Sequence, residues 1–248
     1  MNARKLPAAH AAEAPLRAEL FSADQMERHG EALAGGHKLR SAPLPWRARD
    51  RLLARLTGNE AVLVAAGDLL KAAVAAERGI APAGEWLLDN FHLIEEQVRT
   101  AKRHLPKAYS RELPRLLEGP SAGLPRAYDI ALEAISHGDG RLDAESLRRF
   151  VAAYQTVTPL RLGELWAIPI MLRLALIENL RRVAARIAAS TAQRDLADTW
   201  ADRMLETAGQ DPKSLVLVTA DMARSEPPMS SSFVDTCRAS GTSTTTEP

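Results

Sequence analysis

LWAIPIMLRLALI, Leu165 to Ile177, is the stretch on which the fold turns. It is apolar on nearly every side and broken only by Arg173, so it needs a hydrophobic environment all around it. Its 13 residues fall short of the about 20 that a membrane-spanning helix requires. The environment it demands is therefore protein, and it is expected at the centre of a helical bundle. It lies in a candidate helix over 159–189, for which Thr158 and Pro159 read as N-cap and first helical residue. Pro169 removes one amide donor from that helix and should kink it.

Outward from this segment, alanine and leucine dominate and β-branched runs are scarce up to about residue 220, which favours helix over strand. The expected fold is all-α: an irregular multi-helix bundle with a disordered C-terminal tail. Candidate helices fall at 12–34, 46–56, 59–78, 84–104, 109–118, 125–137, 143–155, 159–189 and 192–208. Asp143 reads as an N-cap, with Leu142 and Leu147 at the spacing of a hydrophobic staple. GGHKLRSAPLP (35–45), with two glycines and two prolines, reads as a linker. Three regions follow: a helical extension and linker over 1–44, the bundle over 45–220, and a Ser/Thr/Pro-rich tail over 221–248 with too little apolar area to fold.

Lys and Arg total 32 against 31 Asp and Glu, so no global field attracts nucleic acid or an anionic membrane. The single cysteine, Cys237, excludes an intramolecular disulfide and any zinc site with several thiolates. MNARKLPAAHAAEAPLRAEL lacks the apolar run of a secretory signal, and a reducing cytoplasm is the expected compartment.

In EWLLDNFHLIEEQVR (85–99), Leu87, Phe91, Ile94 and Val98 repeat at core spacing, while Glu85, Asp89, His92 and Glu96 share the opposite face. A di-iron bundle would need Glu-x-x-His pairs on two helices, and Asp89-x-x-His92 supplies that spacing once. Glu133 and His137 stand at i, i+4, and the other histidines fall in loops or at helix ends. The stripe is read as solvated or partner-facing rather than metal-binding. GPSAG (119–123) matches the G-x-S-x-G elbow formally, but a helix is expected before it, so an inter-helix loop is the reading. Arg181, Arg182 and Arg186 are assigned to helix-end compensation, with Glu178 and Arg182 paired at i, i+4. Arg173, inside the apolar segment, is expected to need a buried ion-pair partner. No Walker or dinucleotide loop, Asp-x-Asp pair or Gln-x-x-Arg-Trp is present, so no catalytic, cofactor-binding or metal residue is expected.

The segments EWLLDNFHLIEEQ, YSRELPRL, YDIALE, AAYQTVTPLRLGELWAIPIMLRLALIENLRR and SEPPMSSSFV, spread over roughly residues 45 to 234, resemble the N-terminal region of bacterial cyclic β-1,2-glucan synthases. The resemblance implies very large multidomain inner-membrane proteins of Gram-negative bacteria. In them a glycosyltransferase domain builds the glucan from UDP-glucose, and a glycoside-phosphorylase-like domain adjusts its length. It further implies that this chain is a truncated form holding only the cytoplasmic helical leader, with the remaining synthase domains as partners and no cofactor of its own. After about Asp235, DTCRASGTSTTTEP departs from the family's character and reads like an out-of-frame tail on a truncated gene or a gene-model artefact. The expected role is scaffolding or regulation of the glucosyltransferase, with an independent all-α interaction module as the alternative.

Overall fold

The structure is a computed structural model and describes residues 14–16, 19–40, 50–105, 109–138 and 142–224. The expected disordered tail lies almost wholly outside these residues. The fold is all-α, as the composition requires. In chain order the helices are α1 (Ala23–Gly36), α2 (Arg51–Ala75), α3 (Pro82–Asp89), α4 (Phe91–His104), α5 (Tyr109–Glu112), α6 (Arg126–His137), α7 (Ala144–Val157), α8 (Leu162–Gln210) and α9 (Leu215–Ala223). A two-residue ribbon, β1 (Leu39–Arg40) against β2 (Arg115–Leu116), is antiparallel and pairs Leu39 with Leu116.

Helix α8 is the spine. It runs unbroken for 49 residues through Pro169, joining what reads as two helices in the sequence. At about 1.5 Å per residue it is roughly 70 Å long. Packed on it are α2, α3, α4, α6 and α9, while α1 lies along α7. Ala167, Ala175, Ala184 and Ala188 are fully buried along α8, facing partners such as Ala66 of α2 and Ala127 of α6 within one core. Methyl-sized side chains at these positions allow the helix axes to approach closely.

Two apolar cores share α6 as their wall. The larger gathers Leu56, Leu63, Leu70, Leu87, Phe91, Val98, Tyr128, Met171 and Leu174; the smaller gathers Met26, Ile130, Phe150, Val151, Tyr154 and Ile168. Tyr128 and Ala131 of α6 face the first, whereas Ile130 and Ala134 face the second. The expected core positions Leu87, Phe91, Ile94 and Val98 are all buried.

Several boundaries differ from the sequence reading for identifiable reasons. The described parts of the candidates 46–56 and 59–78 join in one helix, Arg51–Ala75, because Gly58 is accommodated without a break. The expected helix 84–104 is divided at Asn90, whose side-chain amide donates to the Trp86 carbonyl at 2.8 Å. Residues 109–118 are helical only to Glu112; β2 follows and pairs with Leu39 and Arg40 of the expected linker. Thr158 caps the end of α7 rather than starting α8. Helix α8 begins instead at Leu162, where the Glu164 carboxylate accepts from the Arg161 amide at 2.9 Å. Helix α1 starts at Ala23 under a capping box between Ser22 and Gln25. The Asp143 cap is as expected, accepting from the Ser146 amide at 2.8 Å.

Candidate functional site

Two surface features stand out, an apolar groove and a polar cleft. The groove, about 460 Å³, runs between α3–α4 and α8. Trp86 and Leu93 form one wall, with Pro169, Leu172, Leu176 and Leu180 on the other. Trp86 is 56% exposed and Leu176 43%. Along α8 the residues Leu162, Trp166, Pro169, Arg173, Leu176 and Leu180 follow one another at alternating steps of four and three. That spacing draws a continuous seam of the kind a second helix packs into. Trp166, 75% exposed, continues the seam beyond the groove.

Arg173 lies half-buried on this groove wall, and no ion pair holds it among the described residues. The groove leaves the guanidinium partly open to solvent, where a closed core would have required a carboxylate. The buried ion pairs of α8 are at Glu164 and Glu178 instead. Glu178 is fully buried and accepts from four side chains: Arg55 through Nη2 at 2.8 Å, Asn59 at 2.8 Å, Arg181 at 2.6 Å and Arg182 at 3.1 Å. Burial opposes its charge, but the hydrogen bonds and charges of Arg55 and Arg181 prevail and hold the carboxyl at about 2. The i, i+4 pair expected between Glu178 and Arg182 is one strand of this network. Tyr128 beside it is pushed up to about 12 by burial and by the Glu178 charge.

The cleft, about 710 Å³, opens between α1, α6 and the loop before α6, and Arg55 and Arg182 reach its edge. His37, just past the end of α1, bridges Tyr154 Oη at 2.8 Å through Nδ1 and Asp129 Oδ2 at 3.1 Å through Nε2. A neutral ring satisfies both bonds when Nε2–H donates to Asp129 and Nδ1 accepts from the tyrosine hydroxyl. Burial raises the Tyr154 hydroxyl, which keeps it a donor. Nearby, His29 of α1 meets Glu133 and His137 of α6, with His29 Nε2 2.8 Å and His137 Nε2 3.4 Å from the same Glu133 oxygen. These three offer ligand atoms all within 4.8 Å of one another.

Glu85, Asp89, His92 and Glu96 are exposed on α3 and α4, beside the apolar groove. They are not among the described residues that gather within metal-ligand distance. Ser121 of GPSAG lies in a turn between β2 and α6, with Gly119 at φ +87° and Gly123 at φ +78°, and bonds no histidine among the described residues. A loop, as expected, is what this segment forms. Sequence reading missed the His29 cluster. Its visible half was Glu133-x-x-x-His137, and nothing in the pattern announces that a helix 104 residues earlier supplies the third group.

No helix among the described residues is long and apolar enough to cross a membrane. No protein-family profile matches the chain. Over 195 residues it is 35% identical to the cyclic β-(1,2)-glucan synthase NdvB of Rhizobium meliloti (strain 1021), a match that covers 77% of this chain. The chain spans only 7% of the length of that relative. An all-α bundle with this identity over most of its length is related to the cyclic β-(1,2)-glucan synthases, as a piece corresponding to a small part of such a protein.

Proposed function

We propose that this chain is a helical module that scaffolds or regulates a glucosyltransferase using UDP-glucose within a cyclic β-1,2-glucan synthase, and transfers no glucose itself. Its partners are the other parts of such a synthase, through which it sits on the cytoplasmic side of the inner membrane. The observation that carries this reading is the seam from Leu162 to Leu180 with the Trp86–Leu93 groove beside it. Contiguous exposed apolar surface of this kind marks a face that meets another protein. Heptad-like spacing suits an amphipathic helix as the occupant. The sugar-nucleotide motifs missing from the sequence support the non-catalytic part.

Two measurements test the reading. A tagged chain co-expressed with a full-length synthase is expected to capture it, and Trp86→Ala with Leu176→Ala is expected to abolish capture. Failure of the parent chain to capture any synthase would favour an independent interaction module. Incubation with labelled UDP-glucose is expected to leave protein and oligosaccharide fractions at the level of a heat-treated control. Incorporation above that level would overturn the non-catalytic assignment.

A further inference from the structure

We infer that His29, Glu133 and His137 bind one divalent transition-metal ion of the zinc class at the edge of the polar cleft. The inference stands apart from the glucan-synthase reading, because it rests only on the geometry where the His29 side chain of α1 meets Glu133 and His137 of α6.

His137 is held as a metal-ligating imidazole is held. Its Nδ1 lies 2.7 Å from the Glu19 carbonyl oxygen, a group that can only accept, so Nδ1 carries the proton. In the neutral ring the lone pair is then on Nε2, which faces Glu133 Oε2 at 3.4 Å. A carboxylate also brings only lone pairs to that gap. The two atoms attract each other only with an electrophile between them, a proton or a metal ion. His29 Nε2 approaches the same oxygen at 2.8 Å, so two imidazoles converge on one carboxylate.

The surroundings fix this arrangement. Phe21 stacks on the His137 ring at 3.8 Å between centroids and 9° between planes, and the Phe21 amide donates to the His137 carbonyl at 3.2 Å. An outer ring N–H tied to a carbonyl, with the other nitrogen turned toward a shared centre, is the usual support of a histidine ligand. Glu133 and His137 share one α6 face at i, i+4, and His29 enters from the facing helix.

The donor set defines the ligand. Two imidazoles and one carboxylate, with no thiolate, suit zinc, cobalt, nickel or ferrous iron over magnesium or calcium. Three protein ligands leave a fourth position for water or a further ligand. His29 and Glu133 line the cleft, so that position faces it. The His29 and Glu133 side chains, 24% and 30% exposed, have room to close to bonding distance. Ion-free pairing of charged histidines with Glu133 is the competing account, and it predicts no stoichiometric uptake.

Chelator-stripped full-length chain titrated calorimetrically with zinc chloride decides between them. One ion per chain with a micromolar or tighter Kd is expected, together with a raised thermal midpoint and visible d–d absorption when Co²⁺ replaces zinc. Glu133→Gln and His29→Gln, each first shown by circular dichroism to be folded, are expected to weaken binding at least tenfold. His92→Ala, on an exposed face elsewhere, is expected to leave it unchanged. If Glu133→Gln fails to fold, His29→Gln alone decides. No saturable uptake by the parent chain, or uptake equal in the parent and the folded variants, overturns the site.

Discussion

Arg126 and Glu164 form a buried bidentate pair: Nε donates to Oε1 at 2.6 Å and Nη2 to Oε2 at 2.7 Å, with both side chains almost sealed from solvent. The pair joins the first turn of α6 to the first turn of α8, and the same carboxylate caps the Arg161 amide. Arg126 also donates to the Pro159 carbonyl at 2.8 Å, so one guanidinium fixes the α7–α8 connection. Glu164→Ala leaves that guanidinium buried without its counter-charge and is expected to cost about 3–5 kcal/mol. Urea unfolding followed by circular dichroism measures it; a loss under about 1 kcal/mol would show that the pair is dispensable.

Gly30 and Gly58 both lie inside helices, yet alanine should act oppositely at the two. A Cβ on Gly30 would stand 2.9 Å from the Phe150 carbonyl oxygen and 3.1 Å from its ring, so α1 and α7 must separate. Gly30→Ala is expected to destabilise by about 1–3 kcal/mol. Nothing lies within 4 Å of a Cβ at Gly58, and Gly58→Ala is expected to stabilise by roughly 0.5–1 kcal/mol through helix propensity. Opposite shifts in thermal midpoint are the expected reading; shifts of the same sign would contradict the close crossing at Gly30.

Phe91→Ala should cost about 3–5 kcal/mol, since the ring fills the space over Gly67 in the larger core. His92→Ala, one residue on but exposed, should change stability by less than about 0.5 kcal/mol. Paired denaturant melts compare them directly, and similar losses would mean that His92 has an unseen partner.

The Glu178 network fixes a pH dependence. Its folded carboxyl is held at about 2, below the ordinary 4.5, so its contribution to stability is complete above pH about 4.5 and lost as pH falls through about 2. Tyr128 acts at the other end: raised to about 12 from 10, it contributes fully below pH 10 and loses that contribution as pH climbs through 12. Glu178→Gln is expected to be less stable at neutral pH and to show a flatter stability profile between pH 4.5 and 2. An acid limb identical to that of the parent chain would exclude Glu178 as the titrating group.

The fold class was legible because Leu165–Ile177, apolar and too short to span a membrane, calls for helical partners, although its Trp166 and Leu176 side stays exposed, and because alanine and leucine leave strands little material. The Leu87–Val98 core face and the Asp143 cap were legible for the same local reason: periodicity and capping act within a few residues. Gly58 and Pro159 misled because each permits two outcomes, and tertiary packing chose between them. Glu164 and Arg126 were hidden, since a charge at a core position declares itself only once its partner 38 residues away is in place. The His29–Glu133–His137 cluster was half legible for the same cause. Arg173 meets no carboxylate among the described residues, because the apolar run around it faces a groove on one side.

Helix α1 finds its packing partner late. Its face, with Met26 and Ala34, belongs to a core completed by Phe150 and Tyr154, and Glu27 meets Arg149 across 122 residues of sequence. At a ribosomal pace of about 5–20 residues per second, α1 waits roughly 6 to 24 s between its own synthesis and that of α7. Until α6 emerges it is an amphipathic segment without its core, and even then it lacks the α7 face that completes that core. Assembly of the smaller core is therefore paced by translation, and α1 is locked in place only once α7 has been made.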